Sequence, residues 1–176
     1  MPLLKRGKLV DDPWIHVADE VAVPTSGPVI VGLKRWRDER ETLLKRADPV
    51  GVRLQSDHTA SDVAGDLEHL GVVAFACPVF RDGRAYSNAR RLRERYGYTG
   101  EIRAIGNVLR DQYLFMGRCG FDALEVKEGE TERDWQKATQ AIGVFYQAAA
   151  DGRETVIQRR HRRTAISLRH PQASGK

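Results

Sequence analysis

The stretch Gly71 to Arg95, GVVAFACPVFRDGRAYSNARRLRER, carries the residues with the clearest chemistry. An apolar run, Val72 to Ala76, meets Cys77-Pro78. A polar loop follows, and Ser87 opens a helical stretch dense in arginine. This pattern reads as strand, loop and helix. A helix N-terminus carries unpaired N–H groups and partial positive charge, so it favours anions. Arg81 and Arg84 stand near its mouth. In that reading Arg84 holds an anion bidentately, Ser87 caps the helix or donates its hydroxyl, and Asp82 orients an arginine or moves a proton. A plainer reading fits the same residues: a tight Asp82-Gly83 turn, an N-cap, and arginines that are solvated or paired to Glu94. Most of Arg90, Arg91, Arg93 and Arg95 read as a solvated helix face.

Ligands of parallel α/β proteins bind at the C-terminal ends of the strands. That rule selects three further loops. The first holds Gln55, Ser56, Asp57 and His58, where a loop histidine could exchange protons near neutral pH. The second leads from Gly106-Asn107 to Arg110-Asp111-Gln112. Asp111 is a candidate proton carrier and Gln112 a candidate for orienting a polar ligand, although an acidic residue in a first helical turn is also favoured by the helix dipole alone. The third is Lys127-Glu128. The candidate site is therefore Asp82 and Asp111 as catalytic groups, with Arg81, Arg84, Ser87, Asn107, Gln112 and His58 holding an anionic ligand. Cys77 ends an apolar strand at the correct end for a nucleophile, but free cysteine is commonly a buried apolar residue.

The elements that must position these groups follow a repeated rhythm of short apolar run, polar loop and amphipathic stretch. Leu3 to Val17 reads as a hairpin turning at Lys5-Arg6-Gly7-Lys8. Strands are expected at Val29–Leu33, Val50–Leu54, Val72–Ala76, Glu101–Ile105 and Ala123–Val126, with a sixth short one at Val156-Ile157. Helices are expected over 34–46, 62–70, 88–96, 108–119 and 132–150, with Gly97 and Gly120 as stops. Strands alternating with helices at this spacing predict about five βα units forming a mainly parallel sheet, preceded by an N-terminal β-hairpin over residues 1–20. Two architectures fit: a half-barrel first, an open doubly wound sheet second. Arg53, Arg103 and Glu125 interrupt three of the strands. A curved sheet could aim such groups into a polar concavity, and edge strands of an open sheet could carry them equally well. A half-barrel leaves strand edges exposed, which points to a homodimer or a partner.

Residues 1–152 are expected to form one α/β domain, and 153–176 a basic, partly disordered tail. The formal net charge of +5 is concentrated in that tail, which has 7 basic residues and 1 acidic, against 22 and 23 in the remainder. The body is thus nearly neutral and lacks the basic face and stacking aromatics of a nucleic-acid module, so nucleic acid is not the expected partner. No apolar run approaches the roughly 20 residues of a membrane span, and the first residues lack a secretory pattern, so a cytoplasmic location is expected. Cys77 and Cys119 are far apart and form no metal-binding spacing, so no metal site is expected. There is no G-x-G-x-x-G after a strand and no G-x-x-x-x-G-K-[ST], leaving nicotinamide and P-loop sites without support; the cofactor, if any, is unknown, since flavins bind without a motif.

At Phe80-Arg81-Asp82-Gly83-Arg84-Ala85-Tyr86-Ser87, Leu92-Arg93-Glu94-Arg95-Tyr96-Gly97, Arg103 through Gln112 and Arg118-Cys119-Gly120-Phe121-Asp122, the chain resembles a bacterial family, domain of unknown function 934. Asp12-Pro13-Trp14 and Gly51-Val52-Arg53-Leu54 also fit. The resemblance implies an oxidoreductase associated with assimilatory sulfite reductase, with no mechanism or catalytic residue to carry over. The chain departs from the pattern at Asn107, where an acidic residue is usual. Joined to the arginine-rich helix mouth, this implies a protein of sulfate assimilation that binds a small oxyanion or a sulfur metabolite. Redox turnover would need an electron carrier, since the side chains supply none. A non-catalytic accessory that docks on sulfite reductase or its electron donor stays open beside the enzyme.

Overall fold

Runs of β-branched and small apolar residues build the centre of the molecule, and the pleat sends alternate side chains to opposite faces. In a computed structural model, which describes residues 2–79, 81–140 and 142–169, eight strands form one sheet. They are β1 (Leu3–Lys5), β2 (Lys8–Val10), β3 (Ile15–His16), β4 (Val29–Gly32), β5 (Val50–Leu54), β6 (Leu70–Cys77), β7 (Glu101–Gly106) and β8 (Ala123–Glu125). The spatial order is β2-β1-β8-β7-β6-β5-β4-β3. Strands β3 to β8 lie side by side in chain order and pair in parallel. The hairpin β1–β2 joins this run antiparallel along β8. The sheet is therefore mixed, not the mainly parallel sheet expected, because the hairpin becomes part of it instead of packing beside it.

Sequential parallel order has a geometric consequence. Right-handed crossovers between successive neighbours put every connection on the same face, and the twist then curls the sheet. In a flat sheet β3 and β8, five strands apart, would be separated by about 24 Å. Yet His16 on β3 meets Glu125 on β8, Nε2 to Oε1, at 2.6 Å. The sheet is a curled half-barrel, and the doubly wound alternative is excluded. Val29, Val31, Val52, Leu54, Val73, Phe75, Ile102, Ala104 and Leu124 face the main core under the helices. Ile30, Val72, Ala74 and Ile105 form a smaller apolar cluster with Trp14 and Ala76 in the concavity.

Arg53, Arg103 and Glu125 belong to that inner face, which explains why they interrupt otherwise apolar strands. Across the sheet the register runs Gly32, Arg53, Ala74, Arg103, Ala123. Large groups from alternate strands are thus separated by small ones, the filling pattern of a barrel interior. Arg103 is fully buried. It pairs with Asp12 at 2.6 Å, Glu101 at 2.8 Å and Glu125 at 3.3 Å. Lys5 closes the cluster on Glu101 at 2.7 Å.

The helices are α1 (Leu33–Asp38), α2 (Arg40–Leu44), α3 (Arg84–Glu94), α4 (Tyr113–Cys119), α5 (Glu132–Gln140) and α6 (Val156–Arg169). Several differ from expectation. The helix over 34–46 breaks at Glu39 into α1 and α2. The one over 62–70 is replaced by two 3₁₀ turns, Ala60–Val63 and Leu67–His69, on either side of Gly65. Thr59 and Asp62 bond each other around the first of these turns and hold it tight. Residues 110–112 are also a 3₁₀ turn, leading into α4. Helix α3 begins at Arg84, so Ser87 lies inside its first turn and does not open it. Gly97 and Gly120, at φ +63° and +103°, stop α3 and α4 as expected. Val156-Ile157 begin α6 and are not a strand. The expected helix over 132–150 ends by Gln140, Ala141 lies outside the described residues, and Phe145 instead forms an isolated parallel bridge to Thr155. The tail is helical to Arg169; Phe80 of the quoted motif and residues 170–176 lie outside the described residues. Among the described residues no helix is long and apolar enough to cross a membrane.

Removing Arg103 would leave three carboxylates around an emptied, buried position. Arg103→Met is expected to destabilise the protein by about 3–5 kcal/mol, measured by chemical denaturation.

Candidate functional site

The loops after β5 and β6 and the start of α3 enclose an open cavity of about 600 Å³, lined by Ser56 to Thr59, Gly83, Arg84, Ser87, Asn88 and Arg91. It lies at the C-terminal end of the parallel strands. One buried polar residue holds its two walls together. Asn88 projects from α3 beside Ala85, Ala89 and Leu92, a stripe that otherwise packs into the core. Its Oδ1 accepts from the Ala60 N–H at 3.0 Å and its Nδ2 donates to the His58 carbonyl at 3.3 Å. The carboxamide thus fixes the 56–60 loop against the helix. Sequence reasoning missed Asn88, although a polar residue in an apolar helical stripe is a usable signal.

Arg84, the first residue of α3, is the best-placed cation in the cavity. Its Nε and Nη2 donate to the two oxygens of Asp82 at 2.9 and 2.8 Å. The same carboxylate accepts the Arg84 backbone N–H at 3.2 Å. The helix mouth therefore already holds an anion, and it is Asp82. These bonds, the Arg84 side chain first, push the Asp82 carboxyl down to about 2, against the cost of desolvation. Asp82 is consequently ionised at neutral pH. It orients Arg84 and has no proton to give there. A guanidinium has five N–H groups, and Asp82 occupies two, so the Nη1 edge of Arg84 stays open to a ligand.

Ser87, in the same first turn, and Arg91, one turn further along α3, reach the same cavity, and both are exposed. His58 is half-buried; its Nδ1 accepts the Gln55 N–H at 3.1 Å, which assigns the proton of the neutral ring to Nε2. Asp57 is 3.9 Å from that Nε2, a long contact and not a proton-transfer pair. Arg81 is exposed, makes no ion pair among the described residues, and does not line the cavity.

The β7 loop stays apart from this group. The Asn107 N–H donates to the Cys77 carbonyl at 2.8 Å, which ties the ends of β6 and β7 together. Gln112 Oε1 accepts the Leu109 N–H at 3.2 Å and caps its own turn. Asp111 is exposed. None of the three lines the cavity. Arg84, Ser87 and His58 come together, with Asp82 behind Arg84, while Arg81, Asn107, Asp111 and Gln112 do not join them. Cys77 is buried on the helix-facing side, and burial, helped by the charge of Asp82, pushes its thiol up to about 11. It is a thiol at neutral pH and a poor nucleophile. Of the α3 arginines, Arg90 pairs with Glu94 on the solvent face. Arg93 does not belong to that face. It donates to the carbonyls of Tyr98, Gly100 and Gly120 and to Asp122, fastening the end of α3 to the start of β8. A Cβ at Gly120 would strike the Arg93 stem at 2.5 Å, so the bare backbone there is required.

A second concavity, of about 340 Å³, opens at the mouth of the half-barrel between His16, Arg53, Gln55, Ala76, Cys77, Pro78, Ile105, Gly106 and Glu125. Among the described residues no cluster of histidine, cysteine and carboxylates is disposed to hold a metal ion.

The fold and site define an α/β half-barrel with polar cavities at the C-terminal ends of its parallel strands. The chain belongs to the DUF934 family, described as bacterial protein of unknown function, whose profile matches residues 51–157. The match covers β5 to β8 and α3 to α5, hence the whole helix-mouth cavity. No curated protein matches the chain.

Asn88→Ala would strand the buried Ala60 N–H. A loss of about 1–3 kcal/mol is expected, with faster amide exchange confined to residues 56–60 as the check. For Asp82 the folded carboxyl titrates below the ordinary value near 3.9. Its contribution to stability is therefore present above that value and lost as pH falls through about 2. A carboxyl-carbon NMR titration is expected to place the Asp82 midpoint near 2, and to move it up towards the ordinary range in Arg84→Ala.

Proposed function

We propose that this protein binds a small oxyanion or sulfur metabolite at the helix-mouth cavity, in the service of assimilatory sulfite reduction. The observation that carries the reading is the convergence of Arg84, Arg91, Ser87 and His58 on one open cavity. The free edge of Arg84, held at a fixed angle by Asp82, is the group that grips the anion. Arg91 adds charge, the Ser87 hydroxyl and the Nε2–H of His58 add donors, and Asp57 at the rim sets a preference for compact anions through repulsion. The link to sulfur assimilation comes from the family resemblance, as does the oxidoreductase role. In an oxidoreductase the cavity is the substrate site, and the electrons come from a separate carrier.

The second reading is a docking accessory of sulfite reductase or its electron donor, or a homodimer. It is favoured by the open sheet edge at β3, and by exposed Val144, Tyr146 and Ile157 near the C-terminal end.

Thermal-shift and calorimetric titration with sulfite, sulfate, phosphate and adenosine phosphosulfate distinguish the two. At least one of these anions is expected to stabilise the protein, with affinity about tenfold weaker in Arg84→Ala, the usual loss for one charge-assisted hydrogen bond. Indifference to all four, together with co-purification with the reductase, would favour docking instead.

A further inference from the structure

The two arginines of the inner face are in opposite situations. Arg103 has three carboxylate partners, whereas Arg53, two strands away in the same row of side chains, has no hydrogen bond or ion pair among the described residues. Its Nε is shielded from solvent and unsatisfied. A buried donor without a partner costs about 1–3 kcal/mol, so a folded chain keeps one where something else supplies the acceptor. Arg53 lines the concavity at the barrel mouth, on the opposite side of the sheet from the core beneath the helices.

The surroundings narrow what that acceptor is. Glu125 shares the cavity but is already engaged by His16 at 2.6 Å and by Arg103 at 3.3 Å. Burial works against its charge, yet those two bonds outweigh it and hold the carboxyl below its ordinary value. Glu125 therefore takes up one nitrogen of His16 and leaves Nδ1 without a partner among the described residues. Ala76, Pro78 and Ile105 supply an apolar flank. The two terminal nitrogens of Arg53, which also have no partner among the described residues and are not shielded from solvent, present a two-donor edge that matches a planar, two-oxygen group. The apolar flank matches a short carbon skeleton attached to it.

We propose that the mouth of the half-barrel is a second ligand site, distinct from the helix-mouth cavity, that binds a small organic carboxylate through Arg53, with His16 bonding a further polar group of the ligand. The site is built from the ends of five strands, β3, β5, β6, β7 and β8. His16 is brought to it only by the curl of the sheet. Arg53 and Glu125 lie within the family match, and His16 precedes it.

The test uses the full chain. Acetate, propionate, pyruvate and succinate are titrated by thermal shift and by following the histidine ring resonances, beside sulfate and phosphate. A carboxylate is expected to raise the melting temperature and to move the His16 ring signals, more strongly than either inorganic ion. Arg53→Gln is expected to weaken that affinity about tenfold or more, and Arg84→Ala to leave it unchanged. Arg53→Met, which removes the unpaired donor but keeps the stem, is expected to melt no lower than the wild type while losing the response. The proposal is overturned if no carboxylate acts on the wild type, if only sulfate or phosphate does, or if Arg53→Gln binds like the wild type. It is equally overturned if Arg84→Ala abolishes the response, which would place the carboxylate in the other cavity. A failure here leaves the oxyanion titration of the helix mouth standing on its own result.

Discussion

The half-barrel depends on one buried charge. Arg103 sits on the concave face of β7 with no exposure to solvent, where an unpaired guanidinium would be prohibitively costly. Burial lowers the stability of its charged form, but Asp12 and Glu101 more than offset that and raise its pKa further. The three carboxylates come from different places in the chain: Asp12 from the segment between β2 and β3, Glu101 from β7 and Glu125 from β8. The requirement to neutralise Arg103 thus fixes where the N-terminal segment crosses the concavity. Once Asp12 is bound, with one oxygen also accepting the Trp14 N–H at 3.1 Å, β3 is delivered to the far edge and His16 faces Glu125. Curl, strand order and barrel mouth are consequences of that neutralisation as much as of apolar burial.

The two cavities at the strand ends differ in how their cations are used. At the helix mouth the protein supplies its own counter-ion: Asp82 takes both the Arg84 side chain and the first helical N–H. A helix N-terminus satisfied from within offers a ligand less than its macrodipole suggests. What remains is an oriented guanidinium with one open edge. At the barrel mouth the carboxylate is instead absorbed by His16 and Arg103, and Arg53 is left over. Electrostatic surplus, not helix polarity, marks that place.

Much of this was legible from the chain. Arg53, Arg103 and Glu125 in apolar strands fitted a polar concavity as well as the edges of an open sheet, and β5 runs over Val50–Leu54 as its apolar pattern required. What was not legible is mostly long-range. Asp12 and Arg103 are 91 residues apart, and His16 and Glu125 are 109 apart; no periodicity encodes such pairs, and the hairpin reading of Leu3 to Val17 gave no sign that β3 would leave for the opposite edge. The missed 3₁₀ turns have a local cause. Around Gly65 and Asp66 the apolar spacing suits a helix, but Thr59–Asp62 bonding and the Trp36 and Arg40 contacts to Asp66 compete with helical hydrogen bonds. Ser87 was misread as a cap because the helix already begins at Arg84, four residues before the start at Asn88 that the arginine-rich pattern suggested, with Asp82 accepting its first N–H.

The contrast between the inner arginines also bears on how such a sheet acquires a site without losing its fold. In a row of side chains where Gly32, Ala74 and Ala123 are small, there is room for two long cations, and each must meet negative charge. Asp12, Glu101 and Glu125 are shared between Arg103, Lys5 and His16. Moving any one of them to Arg53 would undo the cluster that holds the curl. The architecture can therefore satisfy Arg103 or Arg53 from within, but not both, and it satisfies the one that is fully enclosed. The arginine nearer the open mouth is left to solvent or to a ligand, so that the demand for a rigid scaffold and the presence of an unsatisfied cation at its rim have a single electrostatic origin.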